Sequence, residues 1–383
     1  MTRPSSQPSL PALVFPDDDL GQNKGWWKPL FRIANLFPLG QVNRSIWLAG
    51  LNLRCPDPAM LIAPQLSRET RAGFLFASPW LLGLLILFAW PFAISLYWSF
   101  CHFDLINPPE PAGWANYQRI GRELWTGQGF GLALFNTAYT ILVSVPLSIL
   151  LGVVLATWLS YDLPGRGLFR AVIFLPSIVP VVAASVLWLW LLNPSDGWLN
   201  AGLGWIGLPP QNWLTQSRSA LSPESVQRLF TEPPANWKLA GSKDGLVLMT
   251  LWGVGNYVVI YLAAMGDIPR SLYEAAALDG AGAWRRWLHV TLPMLSPVIL
   301  FQLVVGIIRG VQTFTNVYLL SEGTGQPAGS LLTLSLQLFL AAFEDLQVGY
   351  ASAIAWCLFV ILAAATWALF RMSSAWVHYR ANT

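Results

Sequence analysis

Five polar residues stand in one long apolar run of this chain: Gln302, Arg309, Gln312, Thr313 and Asn316. Counted from Arg309, the others lie 7 residues before it and 3, 4 and 7 residues after it, spacings that put them on one face of a helix. A guanidinium and amides with Trp and Tyr nearby suit sugar hydroxyls, or an anionic group on a solute. A charge inside an apolar segment faces a bundle interior or an aqueous path, not lipid. Two readings stay open for this face. It lines a solute path, or it hydrogen-bonds neighbouring helices while Arg309 snorkels to the surface. Trp252, Asn256 and Tyr257 form a second polar-aromatic cluster, with Trp252 and Asn256 one helical turn apart. Sugar stacking and interhelical packing both fit it, and Gly253 and Gly255 suit close packing or a bend.

A second constellation lies between two apolar runs. Residues 267–293 read DIPRSLYEAAALDGAGAWRRWLHVTLP. Ser271 followed by Glu274 matches a capping box, in which each side chain bonds the other residue's backbone N–H. Pro269 discourages helix upstream. Ala275, Ala276, Ala277 and Leu278 are strong helix formers. After Asp279, Gly280 fits the left-handed position that ends a helix. The expected product is a helix of about two turns, too short to be stable alone in water, so it needs a partner surface. The Trp- and Arg-rich segment 283–289 suits a membrane interface, and Leu292-Pro293 opens the next apolar run.

The elements that must position these residues are membrane helices. Of the 383 residues, 55% are hydrophobic and 11% charged, with 21 Trp and 20 Phe; soluble domains carry about 25% charged residues. Mean hydropathy is +0.50. Six runs are long enough to cross a bilayer: roughly 74–100, 132–159, 168–192, 246–266, 294–320 and 347–370. Backbone polar groups in lipid must be satisfied internally, which makes these runs helices. Pro91, Pro146, Pro176 and Pro180 are expected to kink them. The stretch 331–343 is too short to span and reads as an interfacial or re-entrant helix. Trp90, Tyr97 and Trp98 read as interface anchors.

Arg68, Arg71, Arg166, Arg170, Arg270, Arg285, Arg286, Arg371 and Arg380 fall on one side of this topology. Arg119, Arg122, Arg218, Arg228, Lys238 and Lys243 fall on the other, four of them in one long loop. Long loops weigh less in the positive-inside rule, so the first side is cytoplasmic, with both termini and the Glu274 loop. Residues 1–71 form an N-terminal extension without a secretory apolar core. Its patch of Trp26, Trp27, Lys28, Phe31, Arg32 and Phe37 reads either as an interfacial helix or as a tail. Residues about 217–244 look like an insertion on an external loop, and 372–383 form a cytoplasmic tail.

Cys55, Cys101 and Cys357 have neither disulfide-framework nor zinc spacing, and His102, His289 and His378 are scattered. There is no P-loop, so ATP is not bound by this chain. No basic stripe with interleaved aromatics points to nucleic acid.

Glu274-Ala275-Ala276, three residues, Gly280, nine residues, then Val290-x-Leu292-Pro293 resembles the EAA loop of ABC importer permeases. Val290 stands where that pattern more often has Ile. The flanking sequence resembles the sugar branch, which includes maltose and glycerol-3-phosphate permeases. Further similar stretches are NTAYTILVSVPLSILLGVVLA, GRGLFRAVIFLPSIVPVVAASVLWLWLLNP and GYASAIAW. The resemblance covers about residues 72–371. It implies an all-α integral membrane protein of the type I importer permease fold, with six transmembrane helices and a short cytoplasmic coupling helix. It implies a prokaryotic plasma (inner) membrane location and no catalytic or metal site. It also implies partners: a second permease subunit, expected to be a different chain, two ATPase subunits that carry ATP and Mg, and an external solute-binding protein. The coupling helix would seat in an ATPase groove, with Glu274 and Gly280 carried over most firmly. An importer permease for amino acids or other solutes is the nearest rival. A secondary transporter would need acidic residues at span centres for ion coupling, and a membrane enzyme a His/Asp/Glu/Cys cluster; neither is present.

Overall fold

The computed structural model describes residues 58–161, 164–231, 233 and 240–378. The 26–37 patch, Cys55, Lys238 and Arg380 lie outside them. The chain divides into two units, Met1–Ala77 and Ser78–Thr383. The second unit carries the site residues.

Four of the six apolar runs are single long helices: Thr70–Ser99, Phe130–Ser160, Ala283–Val311 and Val348–Ser373. The first contains a wide π turn at Leu84–Ala89, where the Trp90 N–H reaches the Leu85 carbonyl. That widening falls directly before Pro91, whose ring would clash in a regular turn. A second π turn, Trp287–Thr291, precedes Pro293 in the same way. Pro146 sits inside the uninterrupted helix Phe130–Ser160.

The other two runs are broken. The third consists of Arg166–Ile178 and Val181–Leu191, which meet at 100°. This is far more than the expected kink. Pro180 lacks an N–H, and the residue before a proline is driven out of the helical region; Val179 is extended, at φ −64° and ψ 129°. The fourth consists of Ser242–Trp252 and Gly255–Gly266, bent by 42°. It begins at Ser242, so the end of the 217–244 segment is helical. Asp244 accepts from the Gly241 N–H at 3.0 Å and closes its first turn. In both runs the break falls near the middle.

The fifth run departs from the sequence reading at both ends. Its helix begins at Ala283, so the Trp- and Arg-rich segment is continuous with the helix of the fifth run. It ends at Val311, and the short helix Thr315–Leu320 follows a turn. The stretch 331–343 holds a helix too short to span, as expected, and of the two readings its burial favours the re-entrant one over the interfacial one. Leu334–Phe339, extended by a π turn to Glu344, lies within the bundle with Leu334 and Leu336 fully buried.

The second span is the centre of the bundle and packs on the fourth and fifth. Close approach depends on glycine. A Cβ on Gly152 would lie 2.8 Å from the Tyr257 Cβ, one on Gly306 2.8 Å from the Val145 Cγ1, and one on Gly310 2.6 Å from the Ile141 Cγ1. Gly306 and Gly310 are one turn apart, the small-residue spacing that lets membrane helices touch. Asn136 of the second span donates to the carbonyls of Gly329 (2.7 Å) and Leu332 (2.9 Å), tying down the turn that precedes Leu334. Many apolar side chains face outward, among them Leu85, Ile86, Leu87 and Phe88 of the first span, as lipid-facing surface requires.

Candidate functional site

The Glu274 helix runs Arg270–Leu278. Its first turn differs from the expected capping box. Pro269 occupies the cap position, with φ −60° and ψ 132°, and no side chain caps the helix. Proline is preset for a helix entry, so the helix starts before Ser271 can cap it. Ser271 therefore lies inside the first turn, and Glu274 is too far along to reach back. The C-terminus is as expected. Gly280 has φ +75°, its N–H bonds the Ala277 carbonyl at 3.0 Å, and the Ala281 N–H bonds that of Ala276 at 2.9 Å. This is the paired Schellman arrangement, and it needs a left-handed residue at Gly280.

A side-chain hydrogen bond ties the helix to the bundle. The Tyr273 and Thr291 hydroxyls hydrogen-bond at 2.9 Å, and Thr291 is buried in the fifth span. Close by, the Trp287 indole N–H donates to the Thr157 hydroxyl of the second span at 2.9 Å. Glu274, Ala275, Ala277, Asp279 and Gly280 are exposed, and Leu278 is 90% exposed. The helix thus presents an apolar tip and small side chains to the outside. Leu292 and Pro293 do not belong to it. They lie within the fifth span, where Leu292 packs against a core cluster that includes Val153, Ala156 and Leu159.

From Ala283 that span runs as one helix to Arg309, a rod of about 39 Å at 1.5 Å per residue. At its far end is a cavity of about 530 Å³. Its lining includes Trp252, Asn256, Arg309, Gln312, Thr313 and Asn316. The single helical face expected for the fifth run does not exist beyond Val311. Arg309 is in the helix's last turn, Gln312 caps its end, and Asn316 is on the next short helix. The turn brings these side chains together all the same. Trp252 and Asn256 likewise straddle a helix break instead of sharing one turn. The Trp252 ring meets Trp188 edge-on at 6.1 Å, and the Ser185 hydroxyl donates to the Asn316 side-chain Oδ1 at 3.4 Å.

Two expected members are elsewhere. Tyr257 packs at the junction of the second and fifth spans against Gly152 and Gly306. Gln302 is buried, and its amide nitrogen has no hydrogen-bond partner among the described residues. Ser177, Thr250 and Phe314 line the cavity and were missed. The signal for them was available in Pro176/Pro180 and Gly253, which mark the breaks that open the cavity at mid-span depth. Discontinuous helices of this kind commonly form solute sites near the bilayer midplane.

The fold and this site define a membrane permease. Residues 148–378 match the family described as binding-protein-dependent transport system inner membrane component. The chain belongs to that family and has its type I ABC permease fold. It is 34% identical over 327 residues to the probable ABC transporter permease protein YesP of Bacillus subtilis, covering 85% of this chain and 97% of that one. It is 35% identical over 246 residues to the lactose transport system permease protein LacF of Rhizobium radiobacter, covering 63% of this chain and 75% of that one. A solved bacterial alginate ABC transporter, in complex with an alginate pentasaccharide-bound periplasmic protein, shares the fold. Its TM-score is 0.63 at 23% identity, over 80% of this chain and 96% of that one.

Proposed function

We propose that this chain forms half of the translocation path of an ATP-driven importer for a sugar, polyol or glycerol-phosphate-like solute. The observation that carries this reading is the cavity where two broken spans meet the end of the fifth. Trp252 offers a stacking face, and Asn256, Gln312, Thr313 and Asn316 offer neutral donors and acceptors, the mixture that binds a polyhydroxylated solute. The curated relative LacF is named for lactose transport, in line with a carbohydrate.

The cavity opens on a face of this chain, where Arg309, Asn256 and Gln312 are exposed. A second permease subunit, a different chain in this proposal, closes it. The Glu274 helix docks in a groove on one of two ATPase subunits, which hold ATP and Mg. Closure of the ATPase pair pushes on Tyr273 and the base of the fifth span, and the rod from Ala283 carries the motion to Arg309. A solute-binding protein delivers the solute to the opposite face. The excess of Arg on the Glu274 side of the spans supports a cytoplasmic position for both termini and the Glu274 helix. The chain supplies the path and the coupling surface, and the partners supply hydrolysis.

The test is uptake of labelled carbohydrates by cells lacking this chain, with and without a complementing copy. Uptake that depends on the chain and on ATP, and that persists when ion gradients are dissipated, is the expected result. Carbohydrate uptake unaffected by the deletion contradicts it.

A further inference from the structure

We infer that the solute of this cavity carries an oxyanion, a carboxylate or phosphate on a saccharide, and that Arg309 is its counter-charge. This rests on the reading of the cavity as the solute path.

Among the described lining residues Arg309 alone is charged. No described Asp or Glu lies within 4.0 Å of it, and ion pairs such as Arg119–Glu123 and Arg218–Glu224 do not include it. The cavity's depth is set by the Val179–Pro180 and Gly253 breaks, both near mid-span. Arg309 shares that wall with Trp252 and Asn256, in the last turn of its helix and beside the breaks, with its side chain exposed on the open face of the cavity. A guanidinium there is costly unless something pairs with it.

Its own helix answers part of that cost, because Arg309 lies in the last turn, where the exposed carbonyls carry partial negative charge. A helix end does not fill the planar fork. The Arg309 carbonyl is already used by the Thr313 hydroxyl at 3.0 Å, and the guanidinium N–H groups stay available to the cavity. Five donors in a fixed fork match a carboxylate or phosphate in two-point contact. A neutral sugar needs no such group here, since Asn256, Gln312, Thr313 and Asn316 already supply uncharged donors and acceptors. The arrangement therefore has one part for the hydroxyls and a separate part for a negative charge.

The test uses the full transporter in its host. A strain lacking this chain is complemented with the natural sequence, Arg309→Gln or Arg309→Lys. Uptake is measured for labelled uronate oligosaccharides, sugar and glycerol phosphates, and neutral oligosaccharides including lactose, with chain level and subunit assembly followed in parallel. The expected result is uptake of an acidic solute that falls about ten- to hundredfold in Arg309→Gln, the range for loss of a charged hydrogen-bonded contact. Arg309→Lys retains part of it, and the accumulated complex is unchanged. Whether uronates or phosphates respond identifies the oxyanion. Chain-dependent uptake confined to neutral sugars overturns the inference and leaves the carbohydrate reading intact. Acidic uptake that survives Arg309→Gln also overturns it. Loss of assembly in both variants shows Arg309 to be a subunit contact and overturns it as well. Uptake of no carbohydrate in the panel that depends on this chain contradicts the carbohydrate reading itself.

Discussion

Tyr273 and Thr291 share a hydrogen bond of 2.9 Å that joins the exposed Glu274 helix to the base of the fifth span. It is a side-chain link between that exposed helix and the helix that reaches the cavity. Tyr273→Phe removes that bond and keeps the ring. The expected stability cost is small, about 1 kcal/mol. Uptake is expected to fall several-fold while the assembled complex goes on hydrolysing ATP, because the docked helix can then move without its span. Parallel assays of uptake and hydrolysis in proteoliposomes check this. An equal loss of both points to failed docking instead.

Gly280 has φ +75° and ends the same helix. A Cβ there meets no neighbour within 4 Å, so the cost of substitution is conformational alone. Gly280→Ala is expected to destabilise the loop by roughly 1–2 kcal/mol, the cost of a left-handed non-glycine residue. Hydrogen exchange of the Ala281 amide, bonded to the Ala276 carbonyl, should speed up while exchange in the spans is unchanged.

Gly310 sets how near the fifth span comes to the second. Gly310→Ala places a methyl 2.6 Å from the Ile141 Cγ1, and overpacking of this kind costs about 1–3 kcal/mol. The prediction is a lower melting temperature in detergent, restored in good part by adding Ile141→Ala. A double mutant no more stable than Gly310→Ala alone would show that the two spans do not meet there.

Outside the membrane spans, Glu123 joins the helix Ala115–Thr126 to the sixth span. Burial pushes its carboxyl up, but hydrogen bonds from Tyr350, the Phe130 N–H and Arg119, with the Arg119 charge, outweigh that and hold it below its ordinary value. A group with a depressed folded-state pKa binds its proton more weakly than in the unfolded chain. Its stabilisation is therefore present above the unfolded carboxyl's range and is lost as pH falls through the folded value. Glu123→Gln should flatten the acid limb of the stability profile and leave neutral-pH uptake in place. Melting curves of both forms from neutral to acidic pH test this.

The parts legible in the sequence were those decided locally. Runs of apolar residues place the spans because lipid leaves the backbone no alternative. Gly280 was legible because its position favours a residue without Cβ. The missed features are held from a distance. The fifth helix ends at Val311 because the Ser335 hydroxyl takes the Val311 carbonyl at 2.6 Å and the Thr333 hydroxyl approaches that of Thr313 at 3.5 Å. Those partners lie on another segment, and helical spacing alone carries the pattern straight through to Asn316. Pro176 and Pro180 announced a bend in the third span, but its size is fixed by packing, with Gly255 letting the Ile173 carbonyl come close. Ser271 failed as a cap through a local competition, since Pro269 starts the helix first.

In the proposed importer the Glu274 helix is where a partner's ATP hydrolysis enters this chain. The most direct measurement is ATP-driven uptake by the reconstituted transporter carrying Glu274→Lys. Glu274 is exposed, so the variant should insert and fold as the natural chain does. Uptake is expected to fall to background although the permease is present in the membrane in normal amount. Uptake at the natural rate, with normal stimulation of hydrolysis by the solute-binding protein, would contradict it.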